Sequence, residues 1–330
     1  MKHLAICVLL ALHIPLTFAG TIVVAADGSG QFKTVQEAIA AAPERSADRT
    51  IIHIKPGTYE GPVIVAKNKT KITLQGDDAK TTTLTWSRNV QDPIPEGSDK
   101  FNPGVHVIGD DFRAENLTIE NTSGNHGQAL ALRMDGDRAV VKNCRITGWQ
   151  DTLMVNNGRQ YFKDCFISGR VDFIYGSPTA VFDHCEIQSR NGGHITAAST
   201  PQDHEFGFVF LNCNLTGDAA PWVKPASGPA SQPVPDKLTP QADLGRPWRP
   251  YAAVAYINCQ MGDHIKPQGW DNWRNPANEK TARYSEYNST GPGANPDKRF
   301  AWTKQLTEKE AEKYTVKNVL GGSDNWNPEE

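Results

Sequence analysis

Long apolar runs are what this 330-residue sequence lacks most plainly. Leu4 to Leu12 is the longest, and a bilayer-spanning helix needs about twenty such residues. An excess of one charge is missing too: 34 Lys and Arg stand against 37 Asp and Glu, a net −3, with no basic stripe. That excludes nucleic acid and an anionic membrane surface as partners. Past the first nineteen residues, an even set of cysteines is absent as well. Six occur, and one, Cys7, lies in the apolar run near the start, so five remain and no complete disulfide framework can be drawn.

Met1-Lys2, the run Leu4 to Leu12 and the small residues around Thr17-Phe18-Ala19 predict a secretory signal over 1–19. Cys7 follows Leu-Ala-Ile, without the small residue that precedes a lipid-bearing cysteine. Residues 20–330 are expected to form a single domain, secreted to the periplasm or the medium.

What the sequence does have is a repeat. Val141-Lys-Asn-Cys144-Arg-Ile, Phe162-Lys-Asp-Cys165-Phe-Ile, Phe182-Asp-His-Cys185-Glu-Ile, Leu211-Asn-Cys213-Asn-Leu and Ile257-Asn-Cys259-Gln-Met share one pattern. Arg113-Ala-Glu-Asn-Leu117-Thr-Ile is a sixth copy with Leu in the Cys place. From Leu117 onward the intervals are 27, 21, 20, 28 and 46 residues, a coil of about twenty with insertions that grow toward the C-terminus. The predicted fold is all-β, a right-handed parallel β-helix, whose coils cannot bury their apolar faces alone. The repeated cysteines should then stack inside as small apolar residues. One bridge, Cys165 to Cys185, is expected, because the strand spacing falls within the disulfide Cα range.

Short capping helices should close both ends. Thr34-Val-Gln-Glu37 ahead of Ala38 to Ala42 is a capping box, as is Thr307-Glu-Lys-Glu310 before a helix to about Tyr314. Segments 88–104, 221–243 and 266–297 are rich in Pro, Gly and charge and are expected as loops walling a groove.

Counting back from the ladder aligns the polar residues. Asp151 precedes Cys165 by fourteen, Asp172 precedes Cys185 by thirteen, and Arg246 precedes Cys259 by thirteen. Gln128 and Gln150 precede Cys144 and Cys165 by sixteen and fifteen. One outer face is thus predicted to carry Gln128, Gln150, Asp151, Asp172 and Arg246, with the two carboxylates side by side. Like charge and desolvation drive the pKa values of such a pair apart, so one acts as acid while the other acts as nucleophile or base. An arginine in reach would fix and ionise Asp172, and two neutral amides suit a developing oxyanion better than a metal. The set favours acyl transfer by a hydrolase, with no metal and no cofactor.

Four blocks, Gln128-Ala-Leu-Ala-Leu132, Gln150-Asp-Thr-Leu153, Asp172-Phe-Ile-Tyr-Gly176 and Leu244-Gly-Arg-Pro-Trp248, resemble in order and spacing the signatures of the pectin methylesterases (pectinesterases). Gly269-Trp-Asp-Asn-Trp273 and Glu286-Tyr-Asn-Ser-Thr-Gly-Pro-Gly293 are similar to that family's C-terminal blocks. The likeness spans Ile22 to about Leu320. It implies Asp172 as nucleophile, Asp151 as acid and base, Gln128 and Gln150 as oxyanion donors and Arg246 as the residue orienting the nucleophile. Trp248 and Tyr175 would line an open sugar cleft; Tyr175 stands where the family commonly has Phe. Methylated pectin is the implied substrate and a monomer the implied state. A relative acting on another ester or thioester, or a β-helix that only binds polysaccharide, are the alternatives; a lyase would need a calcium-binding carboxylate cluster instead of a lone pair among amides.

Overall fold

The computed structural model of the protein describes residues 20–218 and 242–330. The expected signal at 1–19, and most of the expected loop 221–243, lie outside the described residues.

The strands described pair in parallel, coil upon coil. An 11-stranded sheet forms the first face, from Thr21–Val24 to Lys304–Gln305. The other two faces belong to one 13-stranded sheet, made continuous by two long strands, Phe166–Gly176 and Glu186–Ala198, that turn the corner between them. This is the expected parallel β-helix.

One residue makes the corner between the first and second faces. Asn116, Asn143, Asp164, His184, Asn212 and Asn258 all sit there with φ between 50 and 56°, a left-handed conformation that Asn, Asp and His adopt more readily than other side chains. The amides also bond from coil to coil: Asn143 Nδ2 donates to Asn116 Oδ1 at 3.3 Å and Asn288 Nδ2 to Asn258 Oδ1 at 2.9 Å. The next residue in each coil is the ladder position. Strand register aligns Thr118, Arg145, Phe166, Glu186, Asn214 and Gln260. Leu117, Cys144, Cys165, Cys185, Cys213 and Cys259, each one residue earlier, therefore form one column, and all are buried.

The ladder holds, but the disulfide does not: all five of these cysteines are free. Side chains on stacked parallel strands project alike, so a neighbouring thiol is met side by side. Cys165 Sγ lies 3.3 Å from Lys163 O and 3.4 Å from Val141 O; Cys185 Sγ lies 3.5 Å from Phe162 O. The strand spacing meets the Cα criterion, yet the sulfurs rest against backbone carbonyls and are not bonded to one another. Burial pushes the Cys144 thiol up to about 12, which makes it inert.

A second internal stack runs through Phe162, Phe182, Phe210 and Tyr256, with ring centroids 4.7, 4.6 and 4.5 Å apart. That is the strand spacing repeated by the side chains. Helix Val35–Ala41, with its capping box, buries Val35, Ala38 and Ile39 at the N-terminal end. The C-terminal helix is shorter than expected, Glu308–Ala311. A second, Val316–Leu320, starts at an N-cap on Thr315 and lays Val319 and Leu320 against the outside of the first face.

Segment 266–297 is not wholly a loop. Arg283–Tyr287 is a strand that extends the first face, with Tyr284 stacked 4.2 Å from Trp270. Its polar appearance misled, because Glu286 is buried and pairs with Arg299 at 2.9 and 3.0 Å.

Candidate active site

The third face carries the site, on Leu132–Met134, Leu153–Val155, the far halves of the two corner-turning strands and Ala242–Pro247. Its inward row runs Leu132, Leu153, Ile174, Thr196 and Gly245. Gly245 is required there, since a Cβ would lie 1.9 Å from Thr196 Oγ1. The outward row runs Arg133, Met154, Tyr175, Ala197 and Arg246.

Just before these strands, Gln128 bridges to Gln150, and the register of Leu153 with Ile174 sets Asp151 beside Asp172. Both aspartates have left-handed φ, 60 and 52°. That conformation breaks the alternation of a regular strand. Phe173 and Ile174 consequently both enter the core, and the carboxylates are left on the outer side, where Gln128 and Arg246 reach them.

Arg246 clamps Asp172 from two rungs away, Nε donating to Oδ1 at 2.8 Å and Nη2 to Oδ2 at 2.7 Å. The equal counts of thirteen had put them in one column, and here the structure differs. Arg246 aligns with Tyr175, three residues beyond Asp172, because the corner turns of the coils differ in length and the register shifts between Val171 and Ile174. The length of the guanidinium arm makes up the offset.

The two carboxyls have unlike surroundings. Asp151 is buried, and burial, followed by the charge of Asp172, pushes it up to about 7, against the pull of the Gln128 and Gln150 amides. Gln128 Nε2 donates to Asp151 Oδ2 at 2.8 Å, and each glutamine amide has a second N–H to offer elsewhere. Burial raises Asp172 as well, while Arg246 draws it down. The expected pull of an arginine in reach is thus opposed by a burial that the sequence did not show.

Trp248 is half-buried, edge-on to Tyr175 with centroids 5.9 Å apart. Tyr175 does not line an open cleft as expected. It is buried among Leu130, Met154 and Ala197 under Trp248, and its hydroxyl has no partner. Two groups were not singled out from sequence. Trp273 lies beneath Arg246, with the guanidinium carbon 3.9 Å from the ring centroid. On the rungs past Asp172, Asp243 meets His194 at 3.3 Å and Lys266 at 2.9 Å. The Gly269-Trp-Asp-Asn-Trp273 block marked the first; nothing marked the second, since a corner bulge sets its alignment.

A pectinesterase family model matches residues 21–323. The chain is 40% identical over 315 residues to a pectinesterase/pectinesterase inhibitor of Brassica campestris, covering 93% of this chain and 53% of that protein. It is also 40% identical over 298 residues to pectinesterase 31 of Arabidopsis thaliana, covering 87% and 88%. The chain therefore spans about half the length of the first relative and most of the second. The solved structure of pectin methylesterase from carrot superposes with a TM-score of 0.81 at 34% identity, over 93% of this chain and 95% of that one. With the match running through nearly every coil and all four signature blocks, the chain belongs to the pectinesterase family.

Proposed function

We propose that this protein hydrolyses the methyl esters of galacturonate units in pectin, releasing methanol and leaving a carboxylate. The reading rests on one observation above others: two in-register aspartates with opposite support, Asp172 gripped by Arg246 and Asp151 carrying a pKa of about 7 beneath two amides.

Asp172, held in one rotamer by the bidentate pair, attacks the C6 carbonyl carbon. The oxyanion that forms accepts from the amide N–H groups of Gln128 and Gln150, which carry no charge. Collapse expels the methoxy oxygen, and Asp151, still protonated near neutrality, gives it a proton. Methanol departs and an acyl anhydride on Asp172 remains. Asp151, now ionised, takes a proton from water; the hydroxide attacks the anhydride, regenerating Asp172 and the sugar carboxylate. Trp248 supplies an apolar platform for a pyranose ring at the rim. The substrate places the activity outside the cytoplasm, in keeping with the signal read at 1–19.

Methanol release from methylated pectin, measured beside ultraviolet absorbance for unsaturated sugar, tests the reaction. Methanol without new absorbance is expected. Absorbance without methanol would replace the esterase with a lyase.

A further inference from the structure

The loop that follows Gly269 is built with more care than a groove wall requires. Trp270 anchors it: its ring is buried against Tyr256 and Tyr284, and its indole N–H donates to Glu286 at 3.1 Å. Two backbone bonds stitch it to the strand bearing Arg246, Leu244 N to Gly269 O at 2.6 Å and Asp271 N to Gly245 O at 3.1 Å. The Asp271 side chain then accepts from Trp273 N at 2.7 Å, closing an Asx turn. Trp273 and Arg274 follow with φ of 60 and 55°. A bulky residue at positive φ is an outlier that persists only where its surroundings over-determine it. That conformation seats the indole against the cluster of Leu130, Met154, Tyr175 and Ala197, with the Arg246 guanidinium over its ring.

We infer that Trp273 is a positioning residue for catalysis, a flat support that fixes the plane of the Arg246 guanidinium so that Nε and Nη2 both meet the Asp172 carboxylate. An arginine side chain has several rotatable bonds, and a bidentate fork needs its plane set as well as its reach. Asp172 fixes one edge of that plane and the indole fixes one face, with cation–π attraction between them. The other groups around Asp172 do not do this. Asp151 keeps its proton near neutrality, Tyr175 and Tyr284 are neutral phenols, His194, whose pKa burial lowers to about 3, is uncharged, and the nearby Asp271 pushes Asp172 up. Arg246 is thus the cation that offsets burial and Asp271 at the nucleophile, and its orientation decides how far Asp172 stays ionised.

This inference rests on the proposed esterase reaction, and its test separates the two. Wild type, Trp273→Phe, Trp273→Ala and Trp273→Gly are assayed for methanol release from methylated oligogalacturonate across pH, with thermal melting alongside. Trp273→Ala should lose roughly three- to thirtyfold in kcat, the range a cation–π contact of this kind supports. Asp172 loses part of its ion pairing, so the acid limb of kcat should move to higher pH. Trp273→Phe keeps a face and should recover much of both. Trp273→Gly relieves the left-handed backbone, so it should melt no lower than Trp273→Ala while remaining as impaired. A loss confined to KM, with the acid limb unmoved, would make Trp273 a sugar platform and overturn the inference. So would a kcat loss in Trp273→Gly that disappears when its melting temperature matches wild type. If wild type itself releases no methanol, the esterase reading fails first.

Discussion

Replacing Asp151 with Asn should make the protein more stable at neutral pH while nearly abolishing its activity. The Asp151 carboxyl titrates at about 7 in the fold against an ordinary value of 3.8. Below about pH 4 it is protonated both folded and unfolded, and contributes nothing. Between pH 4 and 7 the unfolded chain releases this proton and the folded chain keeps it, so stability falls as pH rises. Above 7 the loss is complete, about 4 kcal/mol at roughly 1.4 kcal/mol per pH unit. Asn has the same shape and stays neutral, and its oxygen can still accept from Gln128, so most of that cost should vanish. A gain of about 2–4 kcal/mol at pH 7.5 corresponds to several degrees in melting temperature for a protein of this size. At pH 4 the two proteins should melt together. Melting curves of wild type and Asp151→Asn between pH 4 and 8 are the assay. An Asn variant that is no more stable at pH 7.5, or whose advantage does not depend on pH, would refute the assignment of a buried, proton-holding Asp151.

Activity should report the same carboxyl from the other side: acylation needs its proton, so methanol release at saturating pectin should decline as pH climbs past about 7, read as the alkaline limb of kcat. Asp172→Asn should fall to background in the methanol assay and gain no stability at pH 7.5, because the Arg246 charge is left without its carboxylate. Trp248→Ala should raise KM for polymer with little change in melting, since the ring is only half-buried; an unfolded variant would instead assign it to the core. Tyr175→Phe removes a buried hydroxyl without a partner and should melt at or above wild type, so a clear fall in melting temperature would mean that the hydroxyl is satisfied after all.

The coil repeat and the inner ladder were legible because both depend on local rules that every coil must obey. One left-handed residue makes the corner, one small apolar residue follows it, and the spacing between them tolerates no insertion. The aspartate pair was legible for the same reason, since Asp151 and Asp172 lie on adjacent coils of regular length. Arg246 lies beyond the point where the regularity ends. Its count of thirteen was a coincidence of two unequal turns, and only the length of its side chain preserved the contact. The disulfide failed for a different reason: spacing along the helix axis brings two cysteines within range and does not by itself join them.

The same distinction decides how the proton is divided at the site. Asp151 and Asp172 share residue type, left-handed backbone and burial, so nothing local makes one the acid. What differs is the partner each receives from a distant coil: an amide from Gln128 one coil before, a guanidinium from Arg246 two coils after. An activated ester separates them by experiment. A phenolate leaving group needs no proton, so Asp151→Asn should release a burst of phenol in the first turnover and then stall, because deacylation still wants a base. Asp172→Asn should give no burst, having no nucleophile to acylate. A burst from Asp172→Asn and none from Asp151→Asn would exchange the two roles, and the pairing with Arg246 would then mark the acid instead of the nucleophile.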